Sequence, residues 1–149
     1  MNNRIFSLAL AVAANSASAA PVYEIIDSIG QQAKGVTVMQ VKAFDLGDAA
    51  ACEHDRAARR QRNKSIGQIR CVRELPITLA ALPHDGPVSK AYVVKTVLPN
   101  DGGALYTVRS GMSTKNPPEV CKNLIAYEKM AESSYFVRNA RISCTVPAP

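Results

Sequence analysis

The chain has 149 residues, enough for a domain with its own core, and carries 18 basic against 12 acidic side chains for a net charge of +6. That excess is moderate: it suits an anionic partner, and it also keeps a small domain soluble. Aromatic content of 5% with no tryptophan leaves little stacking surface for bases, so dedicated nucleic-acid binding is not expected.

The chain opens like an export signal. Met1-Asn-Asn-Arg4 is a short positive region, residues 5–14 are apolar, and Ala17-Ser-Ala19 offers small side chains to a signal peptidase. Cleavage is expected after Ala19, since a cut after Ala20 would place Pro21 just past the scissile bond. The apolar run falls short of the roughly 20 residues that span a bilayer, and no later stretch is longer. Residues 1–19 are therefore read as a cleaved leader and residues 20–149 as one α+β domain in the periplasm or the medium. Arg4 leaves with the leader, so the 18 basic residues become 17 against 12 acidic, a net +5.

Residues 21–32 read as a short arm or helix, because Ile25, Ile26 and Ile29 fall at helical spacing before Gly30 and Gly35. Residues 36–44 have the β-branched composition of a strand. Asp48 then caps a helix over residues 49–62 that is rich in alanine and ends in arginines, as the helix dipole favours. Its apolar stripe of Ala51, Cys52 and Ala58 is narrow, which predicts a surface helix. Residues 66–75 return as a strand with Ile69, Cys71 and Leu75 on one face, and residues 77–82 offer a further short strand before the turn at residues 83–87. Residues 91–98, the Pro99-Asn-Asp-Gly-Gly103 turn and residues 104–110 form the strongest hairpin signal in the chain. Asn116, Pro117 and Glu119 start the last helix as cap, first residue and reciprocal cap. Val120, Leu124, Tyr127 and Ala131 make its apolar stripe, with Cys121 beside it and Lys122, Glu128, Lys129 and Glu132 elsewhere around it. Residues 135–146 close the chain as a strand, with Phe136, Ala140, Ile142, Cys144 and Val146 on one face.

All four cysteines, Cys52, Cys71, Cys121 and Cys144, lie beyond the leader, and an even count in an exported chain implies two disulfides. Zinc is the rival for such a set. It fails on spacing, since no two cysteines lie within four residues of each other and no histidine pair completes a site. Four cysteines allow three pairings. An internal comparison selects one, because residues 41–72 and 108–146 share an order: a strand ending Val-Lys or Val-Arg, a capped helix bearing a cysteine, and a strand with Ile-x-Cys. On that match Cys52 pairs with Cys71 and Cys121 with Cys144. Two such strand, helix, strand units, widened by an extra hairpin, suggest a ferredoxin-like α+β sandwich with both helices on one face of a mainly antiparallel sheet.

Chemistry is sparse. His54 sits between Glu53 and Asp55 on the first helix, where adjacent side chains diverge, and His84 lies in a turn. No nucleophile elbow, zinc helix motif, phosphate loop or Cys-x-x-Cys pair accompanies them, so no cofactor or metal is expected. The uneven patch is Arg56, Arg59, Arg60, Arg62 and Lys64, whose guanidinium forks suit carboxylate, phosphate or acidic glycan. The plainer reading of the same run is a solvated helix end with an Asp55 to Arg59 pair. In the order of its elements alone, the tandem unit resembles the cell-wall-binding SPOR (sporulation-related) domain; that resemblance implies peptidoglycan binding but assigns no residue, and SPOR domains lack the two disulfides. The expected function is a small exported binding or inhibitor module meeting a protein or an anionic envelope polymer. The competing expectation is a hydrolase with a site assembled across the fold around His54 or His84.

Overall fold

The structure, a computed structural model, describes residues 21–27, 35–44, 49–62, 67–97, 103–131 and 140–149. The leader, the Asp48 cap, Lys64, Ile29, the turn at residues 98–102, Glu132 and residues 135–139 lie outside them. Six strands and two α-helices follow in the order β1 (Val22–Asp27), β2 (Thr37–Phe44), α1 (Ala49–Arg62), β3 (Ile69–Val72), β4 (Ala91–Val97), β5 (Ala104–Ser110), α2 (Pro117–Ala131) and β6 (Arg141–Thr145). They build an α+β fold around a single six-stranded sheet, ordered β3-β1-β2-β5-β4-β6, in which every neighbouring pair is antiparallel.

This order is symmetric about the β2–β5 seam. Each half is a hairpin, a helix and an outer strand that returns to pair with the first strand of its own hairpin: β3 on β1, and β6 on β4. Because β1 runs antiparallel to both its neighbours, β2 and β3 are parallel and α1 connects them across β1; α2 connects β5 and β6 across β4 in the same way. A ferredoxin-like sandwich interleaves the strands of its two units, whereas here each half inserts its own first strand, and the two halves stand side by side.

Both helices cover the same sheet face. Residues directly opposite across strands share a face, and the rows Cys71–Glu24–Lys42–Leu105–Thr96 and Ile69–Ile26–Gln40–Thr107–Val94–Cys144 are two positions apart on it. Cys52 of α1 bonds Cys71, and Cys121 of α2 bonds Cys144, so each helix is tied to its own edge strand in the expected pairing. Two disulfides fit an oxidising setting.

The opposite face holds the larger core. Tyr23, Ile25, Val41, Val93, Tyr106 and Val108 line it, and Leu79, Leu82 and Val88 of the β3–β4 connection cover it, with Leu75 at the margin. That connection corrects the strand expected over residues 77–82. Ile77–Leu79 and Leu82–His84 are 3-10 turns. Pro76 and Pro83 bracket the segment, and its amides close local turns instead of a ladder: Leu79 N–H donates to the Pro76 carbonyl at 2.8 Å and His84 N–H to the Ala81 carbonyl at 3.2 Å. Lys95 of β4 donates to Asp85 at 2.7 Å and pins the connection to the sheet.

Two further expectations change. Residues 22–27 form a strand at the heart of the sheet rather than an arm or helix, with Val22 through Ile26 all buried. Burial on both faces erases the period-2 pattern, leaving three isoleucines whose spacing mimics a helix. On α2 the buried face is Cys121, Leu124 and Glu128, while Tyr127 is 47% exposed. The stripe is rotated because Cys121 is tied down to β6, which sets the helix's roll. One backbone contact needs glycine: Gly111 has φ +81°, and a Cβ there would run into the carbonyl oxygen of Gly35.

Candidate functional site

Beneath α1 lies a cluster of charges. The helix forms because alanines and arginines fill it and three arginines close its last turn. It buries one side chain, Cys52. Ionic contacts add to its hold on the sheet. Asp55 accepts from Lys42 of β2 at 3.0 Å and from Nε of Arg59 at 3.3 Å. Nε of Arg59 also stands 2.9 Å from Oε1 of Glu24 on β1. Lys42 lies 4.8 Å over the Phe44 ring.

Glu24 is the unusual member. Its side chain is fully buried, and neither carboxylate oxygen has a well-aligned hydrogen bond among the described residues, so the Arg59 contact acts as a charge pair. Burial pushes its carboxyl above the ordinary glutamate value, the Arg59 charge pulls it only part of the way back, and Asp55 adds to the rise. Burial also pushes Asp55 up, but the Lys42 hydrogen bond and the Arg59 and Lys42 charges outweigh it and hold that carboxyl below the usual aspartate range. One oxygen of Glu24 and the sulfurs of Cys52 and Cys71 all lie within 4.8 Å of one another.

The two carboxyls act on stability in opposite directions. A pKa raised by folding contributes stability below the unfolded-state value, lost as pH rises through the folded value; a depressed pKa contributes stability above the unfolded value, lost as pH falls through the folded one. Urea titrations of wild type and Glu24→Gln at a series of pH values should therefore show the wild type losing ground to the variant as pH climbs out of the ordinary carboxylate range, with a constant gap beyond. Asp55→Asn should lose its largest share at neutral pH and converge on wild type in acid. Parallel curves for wild type and Glu24→Gln would show that Glu24 titrates alike in both states.

The sequence-defined arginines divide. Arg59 is turned inward to Glu24 and Asp55, and Arg56 pairs with Glu53 one turn back. Arg60 and Arg62 are exposed; Arg62 donates to the Ala58 carbonyl at 3.3 Å, and Arg60 has no acidic partner among the described residues. His54 is exposed on α1, over the helix-bearing face. His84 is exposed in the turn that covers the other face, so the sheet separates them.

Four charged residues of the helix face were not expected from the sequence: Glu24, Lys42, Arg109 and Glu128. On the second half Nη2 of Arg109 meets Oε1 of Glu128 at 3.3 Å, and the guanidinium lies 5.1 Å from the Tyr127 ring centre. A signal for the helix partners was present, since Arg59 falls seven positions after Cys52 and Glu128 seven after Cys121. Two turns bring such residues back to the face that the disulfide ties to the sheet. No protein-family model, curated protein or solved structure matches this chain, and no helix of the described residues is long and apolar enough to cross a membrane.

Proposed function

We propose that the chain is a disulfide-braced binding module of the periplasm or extracellular medium, formed from two copies of one hairpin, helix, strand unit, and that it meets an anionic partner through the outer face of α1. One observation carries this reading: α1 commits its inward charges to the sheet yet leaves Arg60 and Arg62 exposed on its last turn. Arg70 and Arg73, on and just after the edge strand β3 to which that helix is bonded, are exposed as well. Exposed guanidinium groups such as those of Arg60 and Arg62 suit carboxylate or phosphate groups on an acidic protein surface or an envelope polymer, while Arg70, opposite Ile25, adds positive charge on the other face of the same edge. The strand order, side by side rather than interleaved, speaks for the general binding reading over a SPOR-type one. The hydrolase alternative draws no support from histidines held on opposite sides of the sheet.

Heparin provides a simple polyanion for a test. Wild type should be retained at low salt and elute with a steep salt dependence, and Arg60→Ser/Arg62→Ser should elute earlier, with the salt slope reduced by about two. Thermal unfolding of the double variant should match wild type, because neither side chain packs on the sheet. Unchanged elution would remove the arginine face from the proposal.

A further inference from the structure

The Glu24, Cys52 and Cys71 cluster does no work in anion binding, and its chemistry points elsewhere. We propose that Cys52–Cys71 is a reducible, proton-coupled disulfide in which Glu24 delivers the proton that neutralises the departing Cys52 thiolate.

Accessibility sets the direction of the reaction. Cys71 sits on the edge strand β3 and is part-exposed, whereas Cys52 is fully buried. A thiolate of a dithiol reductant therefore attacks the sulfur of Cys71. The Cys71–Cys52 bond breaks, a mixed disulfide forms between the reductant and Cys71, and the bonding pair leaves on Cys52. A buried thiolate is costly without a counter-charge or a proton. Glu24 stands within 4.8 Å of that sulfur, equally buried, and among the described residues the donor near its oxygens is Arg59, 2.9 Å from Oε1 without well-aligned hydrogen-bond geometry. Its carboxyl proton passes to Cys52, giving a neutral thiol and a carboxylate that the neighbouring Arg59 stabilises. The second thiol of the reductant loses its proton to solvent and attacks the reductant's own sulfur in the mixed disulfide, and the bond to Cys71 breaks. Cys71, at the part-exposed edge, and Glu24 each take a proton from solvent, so two electrons and two protons have moved from dithiol to disulfide and the reductant leaves oxidised. Burial keeps the Glu24 proton bound to higher pH than in an ordinary glutamate. The charged groups facing it are Arg59 and Asp55 from α1 and Lys42 from β2, with Cys71 beside it on β3.

The molecule contains its own control. Cys121–Cys144 joins the other helix to the other edge strand, but Cys144 lies opposite Val94 in a cluster with Tyr92, Leu124 and Ile142. Among the described residues no carboxylate oxygen is grouped with those two sulfurs as Glu24 is with Cys52 and Cys71, and the buried Glu128 of α2 is paired with Arg109.

Dithiothreitol reduction of the native protein, quenched with an alkylating agent and read by peptide mapping, gives a rate for each disulfide. Each rate is divided by the thiolate concentration of the reagent. The normalised rate for Cys121–Cys144 should be flat with pH. For Cys52–Cys71 it should be higher in acid and fall by about tenfold or more between about pH 5 and pH 9, as general-acid assistance is lost. Glu24→Gln should flatten the Cys52–Cys71 profile and leave Cys121–Cys144 unchanged. If that variant does not fold, the comparison of the two disulfides within wild type decides alone. Matching profiles for the two bonds in wild type, or opening of both together through global unfolding, would overturn the proposal, as would a folded Glu24→Gln that keeps the wild-type slope.

Discussion

Arg109→Ala is expected to lower the unfolding free energy by about 3 to 5 kcal/mol, because it leaves Glu128 charged and almost fully buried with its partner gone. The two side chains are only 13% and 9% exposed, so solvent screening does little to soften the loss. Glu128→Leu alone should cost less, since the long arginine stem can carry its guanidinium toward water while still resting against Tyr127. Arg109→Met combined with Glu128→Leu should recover most of the stability, because Cys121 and Leu124 already provide an apolar bed beside that site. Urea denaturation of the four proteins closes a double-mutant cycle. Additive losses would show that the pair is not coupled and that α2 is held by its apolar contacts alone.

The same pair shows where sequence reasoning stops. Val93, Tyr106 and Val108 sit in runs of alternating or β-branched residues around a clear turn, so the β4–β5 hairpin was legible. Asn116, Pro117 and Glu119 likewise announced α2, and Asn116 and Glu119 approach one another at 3.5 Å across its first turn. The disulfide pairing followed from comparing the two Ile-x-Cys strands. Glu128 and Glu24 were hidden for a common reason: a charged residue in an amphipathic pattern reads as a solvated face, and only a partner distant in sequence makes its burial tolerable. Arg109 lies 19 residues from Glu128, and nothing local links them. Glu24 stands alone between Tyr23 and Ile25 in an otherwise apolar run. That interruption was the available sign that β1 carries something other than packing. The strand order was illegible for a further reason. Which strand lies between the two ends of a β-α-β crossover is decided by long-range pairing, and the β1 segment was not recognised as a strand at all.

The two disulfides close loops of similar length, with sequence separations of 19 and 23, so chain entropy alone gives each about 3 kcal/mol. Their removal should nevertheless look different, because the helices they hold are anchored differently. α2 keeps Leu124 and the Arg109–Glu128 pair when Cys121→Ala/Cys144→Ala breaks its bond. That variant should lose about 3 kcal/mol of global stability, yet its α2 amides should exchange only through global unfolding. α1 buries nothing but Cys52. In Cys52→Ala/Cys71→Ala it keeps the Lys42–Asp55 and Arg59–Glu24 ion pairs but no other fully buried side chain among the described residues, and a free helix of 14 residues is marginal in water. The α1 amides should then exchange by local opening, orders of magnitude faster than those of β4 and β5 in the same molecule. Hydrogen exchange followed by mass spectrometry separates the two behaviours. Equal protection of both helices in their respective variants would mean that the Glu24, Arg59, Asp55 and Lys42 cluster holds α1 as firmly as an apolar interface holds α2, and the view of α1 as a helix docked chiefly by its disulfide would have to be given up.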